Sequence, residues 1–361
     1  MRILEYFRYR ALSRRTTLLI LCIFLAAAGG TMGILSWMTR MPGKSFAGTL
    51  PSAGDAEQKL AHELERDLRH LAGAIGERNV SRRPAQLELA ALWIEHELQS
   101  AGWEIERQEY EVQGERVRNI VAELAGTSSP KEIVVIGAHY DSVIDCPGAN
   151  DNGTGVVSLL ALARRLNTGR THRRDDGTTA VQRDGAARTL RLAFFVNEEP
   201  PWFQQNEMGS LVYARRCHQR KENVIAMLSL ETMGYYTDAK NSQEYPTPIL
   251  RAMFPTVGNF IGFVGSSRSA PLVRRCVNLF RSFTKFPSEG AAIPGVIPGV
   301  AWSDHWSFQI HGYPALMVTD TAPFRYPYYH TPEDTPDKVD YDKLARVTLG
   351  LEQVVMGLIN N

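Results

Sequence analysis

The sequence predicts a three-layer α/β/α domain with a central mixed, mainly parallel sheet, preceded by one N-terminal transmembrane helix. Three observations carry this. Strand-like runs alternate with helix-like stretches through most of the chain, as in a sheet covered on both faces. The run Ile133–Ile136 is continuously apolar and β-branched, as a strand buried on both sides requires. Residues 16–38 carry no charge at all.

At 361 residues the chain holds one large α/β domain plus a short extra segment. The total charge is +1, which gives no electrostatic case for a nucleic-acid partner. Its distribution is uneven. Residues 1–15 carry five arginines against Glu5, a net +4, which leaves −3 for the rest. The uncharged stretch 16–38 would cover roughly 30–35 Å as a helix, enough to span hydrocarbon. The basic flank places the N-terminus in the cytoplasm and everything after Arg40 outside. The competing reading is a cleaved signal peptide, with Leu18–Leu25 as apolar core and Ala26-Ala27-Ala28 as the small-residue site, giving a secreted protein. The apolar run continues past those alanines, so the expectation is an uncleaved single-pass anchor in the lipid bilayer of the cell membrane. Cys146, Cys217 and Cys276 lie beyond it, an odd number without metal-type spacing. They read as isolated small hydrophobes or as one disulfide whose pair the sequence cannot choose.

Taken in order, 1–15 is a cytoplasmic basic segment, 16–38 the signal-anchor, 39–55 a Pro/Gly-rich linker and 56–361 the main domain. Residues 56–76 form a helix with Leu60, Leu64, Leu68, Leu71 and Ile75 on one stripe, stopped by Gly76. Pro84 starts a second helix that ends before Gly102. Strands follow at Ile105–Val112 and Asn119–Leu124, then the central strand ending in His139-Tyr140-Asp141. A Pro/Gly-containing turn delivers Asp151, and Asn152-Gly153-Thr154-Gly155 opens the helix Val156–Leu166. Asn167–Arg188 is polar, lacks periodicity and reads as a solvated loop with His172 as an exposed bystander. Next come strand Leu190–Val196, helix Ser210–Gln219, strands Val224–Leu230 and Asn259–Gly265, and helix Pro271–Phe283. Pro287–Gly299 reads as a loop, Ala315–Val318 as the last strand, and a helix bearing Leu344, Val347, Leu351, Val354 and Leu358 closes the chain.

Three consecutive strands therefore end in acid or imidazole: His139/Asp141, Glu198/Glu199 and Glu231. In a parallel sheet those ends share one edge, where open α/β sheets place ligands. Asp151 follows the first of them and His330 follows the last strand. Burying so many carboxylates is prohibitive unless cations neutralise them. Imidazoles and carboxylates together suit Zn²⁺. Two such ions about 3.5–4 Å apart, sharing a carboxylate, would activate a bridging water for hydrolysis.

The residues that carry this chemistry resemble a known family. His139-Tyr140-Asp141, the Gly-Ala-Asn-Asp-Asn of 148–152, Asn197-Glu198-Glu199, the Leu-Glu-x-x-Gly-Tyr of 230–235 and Tyr329-His330-Thr331 with Asp334-Thr335 downstream are similar to the motifs of zinc-dependent exopeptidases with two co-catalytic zincs. Bacterial aminopeptidases belong to that family, and glutamate carboxypeptidase and glutaminyl cyclase are relatives. The resemblance covers roughly 56–361. It implies two Zn²⁺ per chain, with Asp151 bridging, His139 and Glu231 completing one site, and Glu199 and His330 the other. It implies Glu198 as general base and Asp141 as the orienter of the His139 ring. The implied activity is hydrolysis of N-terminal peptide bonds by a zinc-bridging hydroxide, with peptide as substrate.

Two departures from the pattern stand out. Family members often have Asp where Glu231 stands. Pro200-Pro201-Trp202-Phe203 replaces a Gly-rich turn and is an apolar insertion that could overlie the site. The Ser-Asp-His-Trp stretch with His305 either contacts substrate or hydrogen-bonds the loop beneath it. Among Tyr235, Tyr236, Trp302, Trp306, Phe324, Tyr326, Tyr328 and Tyr329, some would line an apolar pocket and most would pack. Three rival readings stay open here: a one-zinc glutaminyl cyclase-like enzyme, a carboxypeptidase using Arg268 or Arg325 for the substrate carboxylate, and a non-catalytic receptor of the same fold.

Overall fold

Ser129–His139 is the strand around which the sheet is ordered. Ile133–Ile136 are all buried, each Val or Ile contributing about 1.5–3 kcal/mol by leaving water. The computed structural model describes residues 14–166, 170–173, 179–182 and 186–360, apart from the side chains of 14–16, 25, 27, 28, 31, 170–173 and 179–182. Most of the expected basic segment 1–15, and the side chain of His172, lie outside the described residues.

The strands are β1 (Ile105–Val112), β2 (Glu115–Leu124), β3 (Ser129–His139), β4 (Arg170–Arg173), β5 (Thr179–Gln182), β6 (Arg188–Phe195), β7 (Asn223–Glu231), β8 (Ile261–Gly265), β9 (Ser288–Ala292) and β10 (Ala315–Thr319). They form one sheet in the order β4-β5-β2-β6-β3-β7-β10-β8-β9, with β1 paired to β2. β3 runs parallel to β6 and β7, and β7 parallel to β10, while β2–β6 and β10–β8 are antiparallel. The sheet is mixed with a parallel centre.

The helices are α1 (Arg14–Thr39), α2 (Asp55–Leu68), α3 (Pro84–Ser100), α4 (Thr154–Leu166), α5 (Gly209–Gln219), α6 (Pro248–Met253), α7 (Ala270–Phe283), α8 (His305–Ile310) and α9 (Tyr341–Asn360). On one face α2, α3, α4, α7 and α9 bury the stripe expected at Leu60, Leu64, Leu68 and Leu71 against β3, β6 and β8. On the other, α5 and α8 cover only the middle of the sheet, packing Tyr213 and Phe308 against Phe195. Beyond α8, which reaches β10, the part of that face formed by β8 and β9 holds a cavity walled in part by Leu250 of α6.

Two compact units divide the chain at Arg40. In the first, α1 exposes Leu18, Ile20, Ile23, Phe24, Met32 and Ile34. The spanning helix expected over 16–38 needs correction. Among the described residues no helix is long and apolar enough to cross a membrane. Gly29, Gly30, Gly33 and several Ser and Thr residues dilute the run. In the second unit, part of the 39–55 stretch docks on the domain. Arg281 donates to the Pro42 carbonyl, Ser288 N–H to Ser45 Oγ, and Arg346 to the Pro51 carbonyl. Two expected loops contain strands: β4 and β5 pair with each other inside 167–188, and β9 lies inside 287–299. Cys146, Cys217 and Cys276 are buried and unpaired.

Candidate metal centre and substrate pocket

The loop carrying Asp151 is fixed by its neighbours' amides. Asn150 Nδ2 donates to Asp320 (2.9 Å), and Asn150 Oδ1 accepts Gly234 N–H (2.8 Å). Asn152 Nδ2 donates to the Leu230 carbonyl (2.7 Å), and its Oδ1 accepts Thr232 N–H (3.1 Å). Two side chains thus tie the loop to the end of β7. From the other side Asp334 accepts the N–H of Asn150 (2.8 Å) and of Asp151 (3.1 Å). Gly155 is required by packing: a Cβ there would stand 2.4 Å from Asn152 Oδ1. Gly148 sits at φ +63°, in the left-handed region. Beneath the loop, the fully buried Arg78 donates to the carbonyls of Tyr140, Gly76, Pro147 and Gly148.

The parallel strands β3, β6 and β7 bring His139, Glu198/Glu199 and Glu231 to one edge. Asp141 braces the first two. Its Oδ1 and Oδ2 accept the N–H of Glu198 and Glu199, each at 3.1 Å, and Oδ1 lies 3.4 Å from His139 Nδ1. Asn197, Thr232 and His330 have positive φ values of 59°, 45° and 56°. Non-glycine residues rarely adopt that conformation, and it recurs here next to or at acidic and imidazole side chains.

Two groups result, His139/Asp151/Glu231 and Asp151/Glu199/His330, and Asp151 belongs to both. His139 Nε2 lies 3.4 Å from Asp151 Oδ1 and 3.4 Å from Glu231 Oε2. His330 Nε2 lies 3.0 Å from Asp151 Oδ2 and 3.2 Å from Glu199 Oε2. A tetrahedral zinc with bonds of about 2.0–2.2 Å holds its ligand atoms about 3.3–3.6 Å apart, so the first group fits and the second is slightly tighter. Both His139 nitrogens, His330 Nε2 and Glu199 Oε1 are buried without a hydrogen-bond partner. Orphaned buried atoms converging from two directions are what a metal site presents before its ion is counted. The donor set suits zinc.

The electrostatics point the same way. Burial disfavours charge on His139, yet Glu198 and Glu231 raise its pKa well above the usual imidazole value. Burial likewise opposes charge on His330, but Asp151 and Glu199 hold it up at about 10. Burial and the neighbouring Asp151 push Glu199 up to about 7. Glu198 is driven well above the carboxylate range, by burial first and then by Glu231 and Glu199 against the pull of His139. Asp151 falls below its usual value, because both histidines outweigh its burial. The buried carboxylates thus draw positive charge onto both imidazoles, as they would draw a cation.

Beside the cluster lies a cavity of about 110 Å³, some seven to eleven times the space one water needs. Leu250, Phe254, Val300, Trp302, Met317 and Phe324 form much of its wall. Glu231 and Tyr329 sit at its metal-proximal side, and the Tyr329 ring stacks on His330 at 3.9 Å. No Lys or Arg lines it among the described residues.

All seven residues singled out from the sequence thus converge. Others do not. His305 is a core histidine whose Nε2 bonds the Val300 carbonyl at 2.8 Å. Arg325 is buried against Gln243 Oε1 and the Phe260 carbonyl, and Arg268 is exposed away from the pocket. Of the aromatics, Trp302, Phe324 and Tyr329 line the cavity; Tyr326 instead donates to Asp334. The Pro200–Phe203 insertion contributes no lining residue. Asp320 and Arg78 were missed, as was Asp304, whose two carboxylate oxygens are buried without a partner. Only the Asp-Thr of 334–335 had left a trace in the motif.

A mixed sheet with a carboxylate shared between two acid/imidazole groups defines a metallohydrolase of the α/β type. Comparison with known proteins narrows this. Residues 119–355 match the model of peptidase family M28. The chain is 34% identical over 297 residues to the uncharacterized protein YfbL of Escherichia coli, covering 80% of this chain and 85% of that one. It is 26% identical over 244 residues to a probable leucine aminopeptidase of Arthroderma otae, covering 64% of this chain but 55% of that relative's length. In fold it is similar to BSAP, a zinc aminopeptidase from Bacillus subtilis, with TM-score 0.61 and 14% identity over 83% of this chain and 95% of that one. The chain belongs to peptidase family M28 and is a zinc metallopeptidase.

Proposed function

We propose that the protein is an aminopeptidase holding two zinc ions per chain and releasing the N-terminal residue of peptides. The observation that carries this is the membership of Asp151 in both ligand groups. His139, Asp151 and Glu231 would hold one ion, and Asp151, Glu199 and His330 the other. Bound zinc would supply Lewis-acid polarisation of the scissile carbonyl and a water of lowered pKa. Glu198 takes a proton from the attacking water and delivers it to the leaving amine. Its carboxylate lies 3.7 Å from His139 Nε2, on the same side as the ligand groups. Asp141 acts through position, holding the His139 ring and the Glu198 backbone together. The absence of a cationic lining residue among those described favours a substrate with a free amine over one recognised by its carboxylate.

The test is hydrolysis by the zinc-loaded protein of aminoacyl amides and their N-acetylated counterparts. The free-amine substrates should be cleaved and the blocked ones spared. Cleavage of blocked peptides from the carboxyl end would overturn the reading. So would cyclisation of glutaminyl peptides without hydrolysis.

We further propose that the exposed apolar side chains of α1 associate with the bilayer, on which the peptidase unit acts from the extracytoplasmic side. Removing residues 1–40 should release activity from membranes into the soluble fraction. Full-length protein recovered soluble, or shortened near Ala28, would contradict it.

A further inference from the structure

One residue row crosses the cavity floor from the metal cluster to its far end. In β7 and β10, Glu231 pairs with Thr319; in β10 and β8, Thr319 pairs with Gly262; in β8 and β9, Gly262 pairs with Glu289. Paired residues point to the same face of a sheet, and all four line the cavity. Three strand spacings separate the ends, about 14 Å between the Glu231 and Glu289 backbones. Gly262 contributes no side chain, so the middle of the row is open. The walls on either side are apolar, from Leu250 and Phe254 to Trp302 and Phe324.

Glu289 is the anomaly in this pocket. Its nearest cation is Arg281, but the approach is 3.9 Å, outside hydrogen-bond distance. Arg281 is engaged elsewhere, donating to the carbonyls of Pro42 and Ser288 and to Ser288 Oγ. Among the described residues the Ser45 hydroxyl supplies the carboxylate's hydrogen bond. Burial pushes the Glu289 carboxyl above its usual value, and the opposing pull of Arg281 and Ser45 offsets this only in part. Glu244, exposed at the rim, adds a second negative group and no positive one.

We propose that this cavity receives the side chain of the residue released from the peptide, and that Glu289 selects a long side chain with an apolar stem and a cationic tip, lysine or arginine. The inference rests on the aminopeptidase reading of the adjacent cluster. The methylene stem of such a chain matches the apolar walls, and its ammonium or guanidinium reaches the one acid set beyond the open glycine. A leucine or phenylalanine side chain fits the walls but leaves the half-buried Glu289 carboxylate with the Ser45 hydroxyl and the more distant Arg281 as its partners.

The experiment compares zinc-loaded full-length protein with its Glu289→Gln variant on lysyl, arginyl, leucyl and methionyl amides. Wild type should favour lysyl and arginyl substrates. In Glu289→Gln the lysyl-to-leucyl ratio of kcat/KM should fall by about tenfold or more, the loss expected of one charge-assisted hydrogen bond. Glu289→Lys should reverse the preference toward glutamyl amides. A ratio unchanged to within about twofold, or wild type favouring leucyl over lysyl substrates, would overturn the proposal. Calorimetric binding of lysinamide and leucinamide separates this from failure of the peptidase reading. Without turnover, a lysinamide preference lost in Glu289→Gln still supports the pocket assignment. Equal binding of both amides rejects it.

Discussion

The backbone N–H of Glu198 donates to Asp141 Oδ1 at 3.1 Å. That same oxygen faces His139 Nδ1 at 3.4 Å. One carboxylate therefore sets both a metal-facing imidazole and the backbone of the adjacent acid. Replacing Asp141 by Asn keeps the shape but gives an amide nitrogen to one of those positions. Zinc affinity should fall about 10–100-fold, and activity should fall even at saturating zinc because Glu198 shifts with its backbone. Equilibrium dialysis and kcat at saturating metal check the two effects separately; a variant matching wild type in both would contradict the bracing role.

Glu198→Gln should retain zinc and lose turnover by about a hundredfold or more, the scale of a general base. Metal content and kcat on an aminoacyl amide decide it. Substantial activity with full metal occupancy would remove Glu198 from the chemistry.

Zinc uptake should release protons and strengthen with pH. In the metal-free protein the pKa of His330 is held at about 10 and that of His139 is also raised. A raised folded-state pKa contributes stability that is complete below the ordinary imidazole value of about 6.5 and is lost as pH climbs through the folded value. Zinc needs both imidazoles neutral and Glu199, at about 7, ionised, so it competes with those protons. The rise in Tm on adding zinc should be small near pH 5 and larger near pH 8. Titrations in two buffers of different ionisation enthalpy should show proton release; a pH-independent affinity would contradict the competition.

Much of this site was legible because its chemistry sits at strand ends, and strand ends follow from local pattern. Ile133–Ile136 and Leu192–Val196 are apolar runs that end shortly before His139 and at Asn197, so the acids and imidazole after them were placed by counting. What was illegible came from residues whose partners are distant in sequence. Asp334 meets Asn150 and Asp151 across the fold, and Arg78 meets Tyr140 and Gly148. Arg78 shows no local pattern that marks it, and Asp334 is marked only by the Asp-Thr of the resemblance, without its partners. β9 hid for another reason: Ser-Glu-Gly-Ala-Ala has no β-branched or aromatic residue, and only its parallel pairing with β8 makes it a strand. The α1 stretch misled in the opposite direction, since absence of charge is a weaker criterion than apolarity.

Arg78→Met should destabilise the protein by about 3 kcal/mol, since its several carbonyl partners would be left buried and unpaired. Thermal unfolding of the metal-free protein reports this without involving activity. A Tm equal to wild type would show that the loop carrying Asp151 does not depend on this guanidinium.

The most direct test of the shared-carboxylate centre is zinc content per chain in wild type and single-ligand variants. Wild type should hold about two zincs. Glu231→Gln and Glu199→Gln should each lose one, and Asp151→Asn should lose both. Wild type with about one zinc, or Asp151→Asn retaining two, would contradict a centre built on Asp151.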